Sequence, residues 1–350
     1  MAYISFKPTD YFGAKLYSGT GSTQSITGVG FQPDWTWIKG RSYSSNNVVY
    51  DTTRGVLKTI MTNNTDAQST DSGSLTAWGS DGFTVGSAGA SNSSGQTYAS
   101  WNWKAGTSTG LDFSAGDITP SAYSINTTSG IGIYKYTGDG TVGGDTIAHN
   151  LGATPKLLIV KQLTDAYSYA VQHSSLANTQ ILNLDTTVAA SSNDAFHNTY
   201  PTSTLITLGS STYTNAVAGT KEYVMYAFAP VKGYSSFGSY TGNGNVDGTF
   251  IYTGFRPQYF IAKETNAVDP WHSWTGISST SGANPLDKSS QPNDGSPEAT
   301  GNSKDVDFLS NGVKLRTSNS EINGSGSPYI YMAWADQPIV GSDGTPGVAR

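Results

Sequence analysis

The chain has 350 residues and a formal net charge of −6. Phosphate binding needs a basic face, so this charge argues against nucleic acid as the main partner. Cysteine is absent, which excludes disulfides and thiolate metal sites and weakly favours synthesis in a cytoplasm.

The composition predicts an all-β protein. Aromatic residues make up 12% of the chain, and stretches rich in Ser, Thr, Asn and Gly separate short apolar runs throughout. This pattern is typical of short strands joined by many turns, and no window has a sustained helical period. The start lacks the pattern of a signal peptide, and no apolar run approaches the ~18 residues of a membrane span. We therefore expect neither a signal sequence nor a membrane partner.

Three marks occur three times in the same order. A turn motif stands at residues 17–21, 136–140 and 240–244. A proline follows each motif, with a lysine six residues later: Pro33 and Lys39, Pro155 and Lys161, Pro257 and Lys263. Each copy closes on two aromatic residues five positions apart: Tyr98 and Trp103, Tyr223 and Phe228, Tyr329 and Trp334. The step between copies has the size of a domain, not the roughly 20–50 residues of a solenoid repeat.

The repeat predicts three tandem antiparallel β-sandwich modules of the jelly-roll or lectin-like kind. We expect module 1 at residues 1–109, a connector plus module 2 at residues 110–231, and module 3 at residues 232–350. Residues 337–350 contain Gly and Pro and are expected to form an extended or disordered tail. The Asp81-Gly82 and Asn311-Gly312 pairs predict hairpin turns, each followed by a short strand.

Alternating positions in two strands of each copy predict the cores. The second and fourth residues after the proline are apolar in every copy: Trp35 and Trp37, Leu157 and Ile159, Tyr259 and Ile261. The closing strands alternate in the same way, through Trp101 and Trp103, Tyr226 and Phe228, Met332 and Trp334. Residues on one face of a strand alternate, so we expect these side chains in sandwich cores. The intervening Ser100, Asn102, Ala227 and Ala333 are expected on a second, partly exposed face.

The three lysines allow two interpretations. Lys39, Lys161 and Lys263 could each cover apolar surface with the stem and keep the ammonium in water. They could instead form a ligand contact shared by the three copies.

No catalytic residue, metal site or cofactor is predicted. The four histidines, His149, His173, His197 and His272, show no metal-ligand spacing. A Ser–His–Asp set stays open, because triads form in space and not in sequence.

The best local candidate for ligand binding is residues 269–274. This segment holds Trp271, His272 and Trp274, with Tyr50 and Tyr169 in the corresponding segments of the other copies. Tryptophan offers a flat platform for a sugar ring, and aromatic residues also anchor protein interfaces. A role in the core is the alternative for these side chains.

Residues 28–39, 50–55, 80–86 and 98–106, with the opening at residues 3–12, resemble a module of tailed-bacteriophage virion proteins, marine phages especially. This module is similar in layout to lectin-like sandwiches of the concanavalin and SPRY type. The resemblance is good over module 1 and weaker in the other copies, where residues 50–55 have no clear counterpart. It implies a virion component without an established enzymatic role.

We therefore expect a non-catalytic virion surface protein, synthesised in a host cytoplasm. The leading expectation is a tail fibre or receptor-binding protein that adheres to a host glycan, since tandem weak sites gain from multivalency. A capsid decoration or head-fibre protein that contacts other virion proteins is the alternative, and a glycan depolymerase comes third. A homo-oligomer, most simply a trimer, would protect exposed sheet edges.

Overall fold

The computed structural model describes residue 4 and residues 6–216, 220–279, 283–301 and 303–337. Strands hold 40% of the residues and helices 3%, so the predicted all-β fold is confirmed. Among the described residues, no helix has the length and apolarity that crossing a membrane requires. The predicted tail at residues 337–350 lies, apart from Gln337, outside the described residues.

The first third of the chain, from residue 12 to residue 103, forms a large and a small antiparallel sheet. A 3₁₀ turn at Pro8–Asp10 precedes it, and a one-turn helix α1 (Gly89–Asn92) lies before its last strand. The large sheet has the order β1-β9-β3-β4-β5-β6. Its strands are β1 (Phe12–Ser18), β3 (Trp35–Gly40), β4 (Val48–Asp51), β5 (Lys58–Met61), β6 (Ser69–Thr70) and β9 (Thr97–Trp103). The small sheet has the order β2-β8-β7 and consists of β2 (Gln24–Thr27), β7 (Leu75–Gly79) and β8 (Gly82–Val85).

The middle third, from residue 122 to residue 228, repeats this plan with more irregular outer strands. Its large sheet has the order β10-β11-β18-β13-β14. The strands are β10 (Ala122–Asn126), β11 (Ile131–Thr137), β13 (Leu157–Gln162), β14 (Ala170–His173) and β18 (Glu222–Phe228). The outer pairs are β12 (Asp145–Ala148) with β17 (Leu205–Leu208) and β15 (Gln180–Ile181) with β16 (Ser191–Ser192).

The last third, from residue 235 to residue 337, again has a large and a small sheet. The large sheet has the order β19-β27-β21-β22, and the small sheet has the order β20-β26-β25. The large-sheet strands are β19 (Ser235–Thr241), β21 (Arg256–Glu264), β22 (His272–Thr275) and β27 (Pro328–Gln337). The remaining strands are β20 (Phe250–Tyr252), β25 (Val306–Leu309), β26 (Gly312–Leu315), and the pair β23 (Lys288–Ser289) and β24 (Ala299–Thr300); helix α2 is Ser320–Asn323.

The repeated sequence marks occupy the same register positions in the three large sheets. Trp35 pairs with Trp103, Leu157 with Phe228, and Tyr259 with Trp334. The tyrosine of each turn motif pairs with the tyrosine of the closing strand, and the two rings stack. These pairs are Tyr17 with Tyr98, Tyr136 with Tyr223 and Tyr240 with Tyr329, at centroid distances of 5.1, 5.2 and 4.7 Å.

The inner faces of the three large sheets meet in one shared core. This shared core contains Trp35, Trp37, Trp101 and Trp103 from the first third, Tyr226 and Phe228 from the middle third, and Tyr259, Trp271 and Trp334 from the last third. The aromatic contacts cross between thirds: Trp35 with Tyr226 at 4.7 Å, Trp101 with Tyr259 at 4.4 Å, and Phe228 with Trp334 at 5.4 Å. The predicted core residues are therefore buried, but they face a core that all three thirds build together.

The expectation of a second, partly exposed face is wrong. Ser100, Asn102, Ala227 and Ala333 are all fully buried. The reason is that the outer face of each large sheet is covered and encloses an outer core, by a small sheet in the first and last thirds and by the outer strand pairs in the middle third. Thr36 donates to the Asn102 side chain at 2.9 Å, so polar groups on this face bond to each other.

The loops between the sheets join each third to both others. The first and last thirds meet where the Ser45 amide donates to the Gly295 carbonyl at 2.8 Å. The first and middle thirds meet where the Gln68 amide donates to Leu163 O at 3.0 Å, and the middle and last thirds where the Ala190 amide donates to Thr265 O at 2.8 Å. The contacts thus close a ring within one chain.

Both predicted hairpin turns are present. The Asp81-Gly82 turn joins β7 to β8, and the Asn311-Gly312 turn joins β25 to β26. A Cβ on Gly82 would lie 2.0 Å from Ile26 O, and one on Gly312 would lie 2.2 Å from Ile251 O. Glycine is therefore needed at these two equivalent positions because the neighbouring strand approaches too closely for a side chain.

Candidate functional site

The five residues predicted to bind a ligand are all buried. Trp271, His272, Trp274, Tyr50 and Tyr169 each expose 1% of their surface or less. Tyr169 and Trp271 lie in the shared core, whereas Tyr50 and Trp274 lie in the outer cores. In this structure none of them offers an open platform to a sugar ring, and their predicted role in ligand binding stays a prediction.

Hydrogen bonds fix the two tryptophans in these packing positions. Trp271 Nε1 donates to Asn183 O at 2.9 Å and thereby joins the last third to the middle third. Trp274 Nε1 donates to Lys304 O at 2.9 Å within the last third. The structure therefore gives both side chains a role in the core, the alternative that the sequence left open.

His173 and His272 are buried, and each ring bonds to a neighbouring group of the protein. His173 Nδ1 accepts from the Ser175 amide at 3.1 Å, and its Nε2 bonds to Tyr331 O at 3.2 Å. Burial lowers the pKa of His173 to about 4, so the ring is neutral near pH 7. His272 Nε2 lies 2.7 Å from a Glu321 carboxylate oxygen. No group of three metal-ligating side chains occurs in the described part of the chain.

The three repeated lysines have equivalent buried positions, so the interpretation that each ammonium stays in water is wrong, while a shared ligand contact stays a prediction. Lys39, Lys161 and Lys263 are fully buried. Each ammonium donates to two backbone carbonyls, and burial lowers the pKa of each to about 8. The Lys39 ammonium reaches Ser45 O at 3.0 Å and Asp294 O at 3.3 Å, so it too bridges the first and last thirds.

A polar cleft lies beside the first third. Its volume is about 440 Å³, within the range of about 300–1,000 Å³ that small-molecule sites occupy. Hydroxyl groups dominate its lining: Thr52, Thr53, Ser108, Ser121, Tyr123 and Ser124. Gln32, Asp34 and Lys104 add an amide, a carboxylate and an ammonium. We refer to this cavity as the hydroxyl cleft.

Four chain segments build the hydroxyl cleft. Asp34 follows Pro33 at the start of β3, and the two threonines follow the end of β4, which pairs with β3. Lys104 follows β9, and residues 121–124 lead into and begin β10 of the middle third. The cleft therefore lies where two thirds meet.

Asp34 organises the inner wall of the cleft. Its Oδ1 accepts from Thr52 Oγ1 at 3.0 Å and from Ser124 Oγ at 3.1 Å, and its Oδ2 accepts from the Ala105 amide at 2.9 Å. Burial raises the pKa of Asp34 above its usual value, although these hydrogen bonds act in the opposite direction. The carboxylate thus links the two walls and fixes the hydroxyl groups around it.

This lining suits a polyhydroxylated ligand. Hydroxyl groups can donate and accept, so they complement the hydroxyls of a sugar, and partly exposed Tyr123 adds an aromatic ring. Asp34 is the one carboxylate among the described residues that line the cleft. Glycoside hydrolysis by the usual mechanism needs two carboxyl groups that flank the bond.

The first copy departs from the repeat at several residues that line the cleft. Asp34 stands directly after the repeated proline, where the other copies have Lys156 and Gln258. The segment at residues 50–55, which carries Thr52 and Thr53, also lacks a counterpart in the other copies. Departures of one copy from the repeat therefore indicate the residues of the cleft. The repeated aromatic positions indicate the residues of the core instead.

One exposed aromatic pair lies elsewhere, on the outer strand β20 of the last third. Phe250 and Tyr252 are 42% and 64% exposed, and β20 is an edge strand of its sheet. The equivalent residues of β2 in the first third are Ser25 and Thr27, so the first third lacks this aromatic surface.

Comparison with known proteins identifies a family but not an activity. The model of a domain of unknown function, DUF7483, matches residues 7–338. No curated protein and no solved structure has a significant match to the chain. Because the matched region covers nearly the whole sequence, the chain belongs to the DUF7483 family.

Proposed function

We propose that this chain is a non-catalytic surface protein of a bacteriophage virion that adheres to a host-cell glycan, as a tail fibre or receptor-binding protein does. The observation that carries the proposal is the hydroxyl cleft, with its ring of hydroxyl groups around the buried Asp34 carboxylate. The virion context is supported by the sequence resemblance described above. Assembly into a virion would follow synthesis in the host cytoplasm.

The proposal includes three tandem β-sandwich modules, at residues 1–109, 110–231 and 232–350. Its support is the equal register of the repeated strands and the presence of an outer core in each third. The shared core modifies this proposal, because each module also buries its inner face against the other two.

The proposal also includes a homotrimer. The inner faces of the large sheets are already covered within one chain, so a trimer would use outer surfaces and edge strands. A trimer would also present three copies of the hydroxyl cleft to a polymeric glycan, which raises avidity.

The test compares host-cell binding by the wild type and by a variant with a filled cleft. Ser108 is an exposed residue of the cleft lining, and Ser108→Trp would place an indole in the cavity. We expect the purified wild type to bind host cells or their surface polysaccharide, and Ser108→Trp to weaken binding at least tenfold with an unchanged melting temperature. Ser72→Trp, at an exposed turn position outside the cleft, is the matched control and should bind normally.

Capsid decoration is the second candidate, favoured by the exposed Phe250 and Tyr252 on an edge strand. An edge strand with exposed aromatic residues suits contact with another protein. Stoichiometric attachment to capsids without detectable cell binding would reject adhesion as the function and support capsid decoration. Release of oligosaccharides from host polysaccharide would instead support the third candidate, a depolymerase.

A further inference from the structure

The outer side of strand β20 is an open sheet edge. β20 pairs with β26 on one side, and no segment of the described chain pairs with its other side. Thr249 O accepts from the Leu315 amide at 3.1 Å, so Thr249 directs its backbone toward β26. Backbone groups alternate in direction along an antiparallel strand, so Ile251 also faces β26, and the N–H and C=O groups of Phe250 and Tyr252 point outward.

The side chains and the composition of this edge suit contact with another strand. Phe250 and Tyr252 are exposed, whereas Ile251 between them is buried in the outer core. The Tyr331 hydroxyl donates to Tyr252 O at 3.3 Å, and a carbonyl oxygen can accept a second hydrogen bond. Edge strands of proteins that stay monomeric are usually protected by charged residues or proline, and residues 249–253 contain neither.

The equivalent edge of the middle third is covered by the chain itself. Thr146 of β12 and Phe250 of β20 each stand ten residues after the tyrosine of the turn motif, so they are equivalent. Thr146 N donates to Asp117 Oδ2 at 3.0 Å, and Thr146 O accepts from the amides of Asp117 and Ile118 at 2.9 and 3.0 Å. These contacts come from the connector before the middle third. Residues 229–234 join β18 directly to β19, so the last third has no connector of this kind to cover β20.

The residues of the open edge are arranged symmetrically about Ile251. Residues 249–253 read threonine, aromatic, isoleucine, aromatic, threonine in both directions. Two antiparallel copies related by a two-fold axis at Ile251 place Phe250 of one copy opposite Tyr252 of the second copy. The outward N–H and C=O groups of these two residues then bond to each other, and aromatic residues in opposite positions stabilise a sheet. A two-fold contact needs a surface that is complementary to itself, and this edge meets that condition.

The charge of the chain favours the same partner. A net charge of −6 makes two copies repel each other, so a contact between them needs a neutral surface. Residues 249–253 carry no charge, and the neighbouring Asp247 pairs with Lys314 at 2.8 Å. Contact through residues 249–253 therefore places no like charges directly opposite each other.

We propose that two copies of this chain pair through their β20 edges about a two-fold axis. The small sheet of the last third then continues as a six-stranded sheet, with the order β25-β26-β20 in one copy followed by β20-β26-β25 in the second copy. Each copy covers the open edge of the other, so the pairing closes and does not propagate. The contact is independent of glycan adhesion, and its two-fold symmetry joins two of the proposed homotrimers instead of forming one.

The experiment is sedimentation velocity of the full chain over a range of concentrations. Phe250→Lys with Tyr252→Lys places ammonium groups opposite each other across the axis, and Phe250→Glu with Tyr252→Glu does the same with carboxylates. Ser25→Lys with Thr27→Lys, at the exposed equivalent positions of β2, is the matched control. We expect the wild type and the control to have twice the mass of either β20 variant, whose self-association should weaken about tenfold or more because like charges face each other. Equal melting temperatures of all variants show that the fold is intact.

A mixture of the two β20 variants tests whether the edge pairs with itself. Lysines of one variant then lie opposite glutamates of the other, so we expect mixed pairs with the mass of the wild-type assembly, which dissociate as the salt concentration rises. The proposal is overturned by a wild type with the mass of the β20 variants, by β20 variants that keep the wild-type mass, or by a mixture that does not associate. A wild type that does not self-associate, but attaches to capsids through Phe250 and Tyr252, would assign this edge to capsid decoration instead.

Discussion

A buried ion pair links the first and middle thirds at the level of single residues. Asp51 Oδ2 accepts from Arg54 Nε at 2.5 Å and from the Tyr226 hydroxyl at 2.7 Å, and both charged side chains are fully buried. Asp51 Oδ1 accepts from Thr53 Oγ1 at 2.6 Å, so the same carboxylate also positions a threonine of the hydroxyl cleft. These contacts give Asp51, Thr53 and Arg54 of the segment at 50–55 a structural role.

Removal of the carboxylate should be strongly destabilising. Asp51→Ala leaves the Arg54 guanidinium buried without its partner, so we expect the free energy of unfolding to fall by about 3–5 kcal/mol. Denaturant unfolding monitored by tryptophan fluorescence measures this change. Asp247→Ala is the control, because Asp247 pairs with Lys314 on the surface with 79% of its side chain exposed, and such a pair contributes at most about 1 kcal/mol. A value for Asp51→Ala as small as that of the control would contradict the structural role.

Sequence reasoning predicted which residues face a core, but it did not predict what covers them. The alternation through Trp101 and Trp103 identifies one face of a strand, because side-chain direction follows from local geometry. The partners, such as Tyr226 and Tyr259, are distant in the chain and come from other copies of the repeat. For the same reason, the burial of Trp271 could not be predicted from its own segment.

At the scale of elements, the lysine that ends the strand after the repeated proline joins two thirds in two of the three copies, whereas the Lys263 ammonium bonds only to Glu264 O and Ala267 O of its own third. The Lys161 ammonium donates to Tyr167 O at 2.5 Å in its own third and to Thr65 O at 2.9 Å in the first third. Lys39 makes the corresponding pair of contacts to its own loop and to the last third. The loop that follows each strand thus receives a buried cation that fixes its position.

These lysines predict a stability that rises in mildly alkaline solution. The unfolded chain keeps each lysine protonated up to about pH 10.5, whereas the folded chain releases the proton near a pKa of about 8. The unfolded state therefore binds more protons between these values, and the free energy of unfolding should rise with pH from about pH 8, by about 1 kcal/mol per pH unit for each lysine. Above about pH 10 the trend should reverse, because burial raises the pKa of Tyr134 and Tyr136 and only the unfolded chain then ionises them.

Denaturant unfolding at pH 7.5, 8.5 and 9.5 tests this expectation. Lys161→Met should reduce the rise by about a third, since one of three equivalent lysines is removed. Lys7→Met changes an exposed lysine and should leave the slope unchanged. A stability that stays flat or falls between pH 7.5 and 9.5 in the wild type would show that the ammonium groups remain hydrated.

The three thirds form one unit at the scale of the whole molecule. The repeat in the sequence predicted three similar copies, and the equal registers of the strands agree with that prediction. The repeat did not predict that the copies would share a core, because a pattern of alternating apolar residues is the same for a sandwich interior and for an interface between sheets. The position of the hydroxyl cleft follows from this arrangement, since its walls come from two thirds.

A fragment of residues 1–109 tests how independent the first module is. Without the other two thirds, the inner face with Trp35, Trp37 and Trp101 would lie in water, and a large exposed apolar surface drives association. We therefore expect the fragment to aggregate, or to bind a hydrophobic dye and lack the near-ultraviolet circular dichroism of packed tryptophans, whereas the full chain should melt in one cooperative transition. Size-exclusion chromatography and circular dichroism of both proteins decide the matter. A monomeric fragment with a cooperative melt would mean that the outer core of the first third, around Phe83 and Tyr98, is sufficient to hold a module by itself.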